Sequence, residues 1–153
     1  MTAPGGLPLS DDAELIFLGS IEPTLVDLFR FSAATWNTHR IHFDAECARG
    51  EGFADVVLQA HLHGTYMLQS FLAWAGPGTR VTSYSWRNRV PVSPGQKLAI
   101  FGRQTSSKDQ DGVVTLTFEV EERLVDGSAA VSGLIVAQLP SVLPLVQPEA
   151  KAD

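Results

Sequence analysis

Apolar residues repeat along this chain with two different periods, and the change from one to the other divides it. From Leu25 and Val26 through Leu28 and Phe31 they recur every three to four positions behind Thr24, so the spacing predicts a short helix with a threonine N-cap. Asp44 can cap a second short helix that carries Glu46, Cys47 and Arg49 and closes at Gly50 and Gly52. The most apolar stretch, Val56 to Ala75, lies between Asp55 and Gly76-Pro77-Gly78. With Leu58, Leu62, Met67, Leu68, Phe71, Leu72 and Trp74 it has few charges on any face, which predicts a helix buried nearly all round. Beyond it the period falls to two. Val81 to Val92 is rich in β-branched and aromatic residues, and Leu98 to Thr105 leads to a turn at Asp109-Gln110-Asp111-Gly112. Val114, Leu116, Phe118 and Val120 then alternate with Thr115, Thr117, Glu119 and Glu121, and Asp126-Gly127 turns the chain into Ala129 to Leu139. One long helix followed by an antiparallel meander predicts an α+β architecture in which the sheet wraps the helix.

The ends read differently from the middle. Pro4, Gly5, Gly6 and Pro8 predict a flexible tail over residues 1–10, and Pro140, Pro144 and Pro148 predict another over 140–153. That leaves 11–139 as a single domain, in keeping with a 153-residue chain. Only 18% of residues are charged, a low share that points to a face covered by another subunit. Seventeen acids against eleven bases give a net charge of −6 with no cluster of Lys and Arg, which argues against nucleic acid or an anionic membrane as the main partner. The lone Cys47 excludes an internal disulfide and any multi-cysteine zinc site. No run of 18 apolar residues is present, and Met1 to Ser10 has neither the basic start nor the apolar core of a secretory leader, so the expected address is cytoplasmic.

All four histidines, His39, His42, His61 and His63, fall within 25 residues of one another around the start of the long helix. The segment Phe31-Ser32-Ala33-Ala34-Thr35-Trp36-Asn37-Thr38-His39-Arg40-Ile41-His42-Phe43-Asp44 resembles the hydratase motif of the MaoC-like family, in the branch of type 2 hydroxyacyl-thioester dehydratases and mesaconyl-CoA hydratases. Arg87-Asn88-Arg89-Val90-Pro91-Val92-Ser93-Pro94-Gly95-Gln96-Lys97-Leu98 is similar to a second stretch of that family, and the likeness covers roughly Leu25 to Leu139. It implies the hot-dog fold, a long helix wrapped by an antiparallel sheet, acting on acyl thioesters of coenzyme A or acyl carrier protein. The carrier is then part of the substrate, and no separate cofactor or metal is expected.

The same resemblance implies roles. In most of the family an Asp and a His five residues apart hold one water, and those positions are Asn37 and His42 here. An imidazole titrating near neutral pH suits the general base of a reversible enoyl-thioester hydration of (R) specificity, so His42 is the candidate base. Asn37 can orient the water but has no carboxyl proton to donate. The enolate oxygen needs donors, which the family takes from backbone N–H at the helix start. Relatives have His-Gly there where this chain has Gln59-Ala60, which makes Ala60 the backbone donor and Gln59, His61 and His63 residues of the pocket. Arg40, Arg87 and Arg89 are candidates for the carrier's phosphates, with pairing of Arg40 to Asp44 as the simpler role. Both departures also suit a structural or half-site subunit of a heteromeric hydratase. A hot-dog thioesterase and a metal site at His39, His42 and Asp44 are further alternatives. The chain is expected to be a homodimer or higher oligomer, or a heteromer with a second hot-dog subunit.

Overall fold

A computed structural model describes residues 15–140 of the chain; both predicted tails, apart from Pro140, lie outside the described residues. The elements are β1 (Ile16–Ile21), α1 (Leu25–Thr35), a 3-10 turn (Arg40–His42), α2 (Ala45–Gly50), α3 (Ala60–Ala75), β2 (Arg80–Asn88), β3 (Leu98–Gln110), β4 (Val113–Arg123) and β5 (Ala129–Pro140). The five strands form one antiparallel sheet in the order β1-β3-β4-β5-β2, and α3 lies against it. This is the expected α+β arrangement, with corrections that have physical causes. The meander comprises only β3 to β5, because β2 crosses to the far edge and pairs with β5 from Arg80↔Gln138 to Asn88↔Val131. β1, which carries no clear alternation, pairs with β3 across a bulge between Phe17 and Gly19.

Helix α3 begins at Ala60, four residues later than the apolar run suggests. Val56 to Gln59 are buried but extended, and their backbone bonds go sideways: Val57 N–H to Ile41 C=O at 3.1 Å and Leu58 N–H to Val92 C=O at 2.8 Å. An apolar run alone does not separate a buried helix from a buried extended segment, and here partners on both sides decide for the latter. Nor is α3 buried all round. Leu62, Met67, Phe71 and Ala75 face the sheet, while Ala60, His61, Gln69, Leu72 and Ala73 are exposed, because one sheet covers one side. The β3–β4 turn is tighter than predicted, with Asp111 at φ 52° and Gly112 at φ 80°, the paired positive φ that suits a two-residue hairpin.

The core fills the space between α3 and the sheet. Phe118 on β4 meets Phe71 with ring centroids 5.1 Å apart and Trp74 at 4.7 Å, beside Leu98, Ile100, Leu116 and Ile135. Burying each such aromatic ring against its neighbours contributes roughly 3–5 kcal/mol, judged by the usual cost of truncation to alanine.

Candidate functional site

The histidine-bearing segment is shaped by local polar bonds. Thr24 and Asp27 form a capping box at the start of α1, with Asp27 N–H to Thr24 Oγ1 at 3.3 Å and Thr24 N–H to Asp27 Oδ2 at 2.8 Å. At its end Trp36 adopts a left-handed conformation, φ 56°, and is 85% exposed. Asn37 Oδ1 then accepts the His39 N–H at 3.2 Å, closing an Asx turn into Arg40–His42. Asp44 caps α2 by accepting the Glu46 and Cys47 N–H groups at 3.0 Å, and Arg40 Nε reaches its other oxygen at 3.1 Å. The Cys47 N–H, and next the Arg40 guanidinium, hold the Asp44 carboxyl below the usual carboxylate range. Arg40 is thereby tied to Asp44 within the loop.

His42 is 7% exposed, and its Nδ1 lies 2.7 Å from the Val57 carbonyl oxygen. A carbonyl only accepts, so Nδ1 carries the hydrogen and Nε2 is left with a lone pair. Burial lowers the imidazole's pKa below its ordinary value; the Val57 bond opposes this and the neighbouring His39, with ring centroids 5.9 Å apart, adds to it. A neutral ring with a fixed tautomer is what proton abstraction needs. The same extended segment that receives His42 runs three residues on into α3. Among the described residues the Ala60 and His61 N–H groups have no partner, whereas those of Leu62 and His63 bond to Gln59 C=O. The loop and the helix start are thus laced together by Val57.

Other candidates are placed differently. No hydrogen bond joins Asn37 to His42: Asn37 lies with Trp36, His39, Arg40, Cys47 and Glu51 around an open depression of about 550 Å³ that His42 does not line. Gln59 is enclosed; its Nε2 donates to Leu28 C=O and to Ser32 Oγ, both at 2.9 Å, and its buried Oε1 has no partner among the described residues. It fastens α1 to the start of α3. His63 is also enclosed, and its Nδ1 pairs with Glu122 Oε2 on β4. Only His61 of this trio is exposed, edge-on to Trp86 at 5.6 Å. Arg87 and Arg89 line a depression of about 650 Å³ with Arg103, Arg123, Ser85 and Ser132, apart from the one that holds Arg40. There Arg89 Nε donates to Ser132 Oγ at 3.0 Å, Arg103 and Arg123 pair with Glu119 and Glu121, and Arg87 makes no ion pair among the described residues.

Glu122 is a polar core residue that the sequence reading missed. Its parity on β4 gives the signal, since Leu116, Phe118, Val120 and Glu122 share the inward face. Burial raises its pKa even though the bond to His63 opposes the shift. Burial, followed by the nearby Glu122 charge, pushes the Tyr84 hydroxyl far above its ordinary value. Among the described residues no three His, Cys, Asp or Glu groups converge on a metal position. No helix among the described residues is long and apolar enough to cross a membrane.

Comparisons with known proteins give a family and a fold. Residues 8–94 match the family described as hydroxyacyl-thioester dehydratase type 2. Over 122 residues, 76% of this chain and 70% of the relative, the sequence is 28% identical to the mitochondrial 3-hydroxyacyl-[acyl-carrier-protein] dehydratase FERN of Solanum lycopersicum. It is 27% identical over 109 residues to the mesaconyl-C(4)-CoA hydratase of Chloroflexus aurantiacus, spanning 71% of this chain and 35% of that protein. The fold is similar to a chain in the ChsH1-ChsH2 complex of Mycobacterium tuberculosis, with a TM-score of 0.72 and 19% identity over 83% of this chain and 96% of that one. The sheet-wrapped helix is the hot-dog fold.

Proposed function

Because the chain belongs to the hydroxyacyl-thioester dehydratase type 2 family, we propose that it adds water reversibly across the 2,3 double bond of an enoyl thioester, with the (R) stereochemistry its motif implies. The observation that carries this reading is His42, whose Nδ1–H is bound to Val57 C=O just ahead of the Ala60 N–H, which has no partner among the described residues. In the hydration direction His42 Nε2 takes a proton from water as the water oxygen bonds to Cβ. The π electrons move to Cα and onto the thioester oxygen, where the Ala60 N–H stabilises the developing charge. The enolate then collapses as a proton returns to Cα, and the imidazolium formed in the first step can supply it. Asn37 orients the water through its amide. The carrier, coenzyme A or acyl carrier protein, belongs to the substrate, and Arg87 and Arg89, which line one depression, are the candidates to meet its phosphates.

The ChsH1-ChsH2 neighbour is a complex of two named components, and Asn37 makes no bond to His42. Those two observations favour a second reading, in which the chain is the structural or half-site subunit of a heteromer. A hydration assay over short, long and branched enoyl-CoA and enoyl carrier-protein substrates separates the two. Turnover by the chain alone supports the first reading. Turnover only after coexpression with a second hot-dog protein supports the second, and no turnover in either case contradicts both.

A further inference from the structure

The start of α3 has no side-chain cap, because the residue at the N-cap position, Gln59, spends its amide on α1. Strand β2 holds this turn instead. Trp86 Nε1–H donates to the Ala60 C=O at 2.9 Å, and Tyr84 Oη–H donates to the Gly64 C=O at 2.8 Å, the two rings being stacked 4.8 Å apart. The indole is seated where residue 64 has no side chain; a Cβ there would lie 2.7 Å from two of its ring carbons. The Ala60 carbonyl belongs to the same peptide unit as the His61 N–H. That unit is planar and trans, so its C=O and N–H point in opposite directions and cannot be turned separately. Fixing the carbonyl from β2 therefore fixes the direction of an N–H that has no partner among the described residues, and a hydrogen bond to the carbonyl strengthens the N–H as a donor.

Resting on the hydratase reading above, we infer that Trp86 is a positioning residue for the reaction: by its bond to Ala60 C=O it aims the His61 N–H as a second donor, beside that of Ala60, to the thioester oxygen. Tyr84 holds a peptide one turn further on, whose N–H lies inside the helix ladder, so its bond serves the fold alone. The edge strand thus carries one aromatic residue that acts on the site and one that does not.

The test compares Trp86→Phe, Gly64→Ala and Tyr84→Phe with the unsubstituted protein, using the best substrate of the panel. Trp86→Phe keeps a ring in the seat and loses the donor. Gly64→Ala keeps the tryptophan and pushes it off the carbonyl. Both are expected to lower kcat about tenfold with KM changed less than about twofold, below the 10² to 10³ that loss of a whole oxyanion donor causes. Tyr84→Phe is expected to lower the melting temperature with kcat within about twofold. The His61 amide proton resonance should also move upfield in Trp86→Phe, as a less polarised N–H does, and this readout needs no substrate. Equal kcat losses in Trp86→Phe and Tyr84→Phe, tracking stability, would overturn the inference, as would an unmoved His61 amide in an active protein. If the unsubstituted protein hydrates no thioester, alone or with a partner, the functional reading itself fails, whatever the His61 resonance does.

Discussion

The two ends of α3 are held by different chemistry. Towards Ala75 the helix is packed by aromatic and aliphatic rings, Phe71 and Trp74 against Phe118, with Leu116 and Ile135 around them. Towards Ala60 it is tied by directed polar bonds from three elements: Gln59 to α1, His63 to Glu122 on β4, and the Ala60 and Gly64 carbonyls to Trp86 and Tyr84 on β2. Apolar burial is strong but nearly indifferent to small rotations, whereas a hydrogen bond contributes only about 1 kcal/mol net and fixes a direction. The end that presents N–H groups in the proposed reaction, three residues after the Val57 carbonyl bound to His42, is therefore built from the weaker, more exacting interactions.

Truncating the apolar end should produce the largest stability change. Phe71→Ala is expected to cost about 3–5 kcal/mol, read from urea unfolding, since Phe71 is wholly buried between α3 and the sheet. If that loss fell below about 1 kcal/mol, the aromatic cluster would not be the anchor described. At the polar end, Glu122→Ala should cost less, about 1–3 kcal/mol, by stranding the His63 ring without its partner.

Glu122→Gln sharpens the comparison through pH. Burial raises the Glu122 pKa in the folded state, so the native protein holds that proton at pH values where the unfolded chain has released it. Its contribution is full below the unfolded value of about 4.5 and is lost as pH rises through the folded one. Glutamine keeps the shape without the titration. The fall in stability with rising pH above that point should therefore be shallower in Glu122→Gln, and an unchanged slope would place the titration elsewhere.

Much of this division was legible in the sequence. Alternation over Val114 to Glu121 located β4, Thr24 and Asp44 announced two helix starts, and the family resemblance pointed to the segment from Asn37 to His42 as the candidate site. What escaped has identifiable causes. β1 is six residues interrupted by Gly19 at a bulge, too short and irregular for a period to show. Val56 to Gln59 are as apolar as the helix that follows, and only their sideways bonds to Ile41 and Val92 separate them. Glu122 continues the inward parity of β4, yet an acid at the end of such a run reads as a strand terminus. Gln59 and His63 stand where the family resemblance implies pocket residues; both are enclosed instead, Gln59 bonded to α1 and His63 to Glu122.

A smaller effect is expected at Asn37, which faces the open depression and bonds to His39 N–H. Asn37→Asp preserves that turn and should keep or raise kcat/KM, while a new carboxylate near His42 should move the acidic limb of the rate profile to higher pH by favouring the imidazolium. Asn37→Ala should lower kcat/KM by loosening the water. If Asn37→Ala matched the unsubstituted protein at every pH, Asn37 would be a turn residue only.

The most direct test of the account is kcat/KM for enoyl-thioester hydration against pH, in the unsubstituted protein and in His42→Ala. Burial depresses the His42 pKa below its ordinary value of 6.5, so the neutral base persists to lower pH and the acidic limb should fall below 6.5. His42→Ala should remain folded by circular dichroism, lose about 10² to 10⁴ in rate and lose that limb. A folded His42→Ala protein that kept more than about a tenth of kcat, with the acidic limb unmoved, would contradict the assignment of His42 as the base.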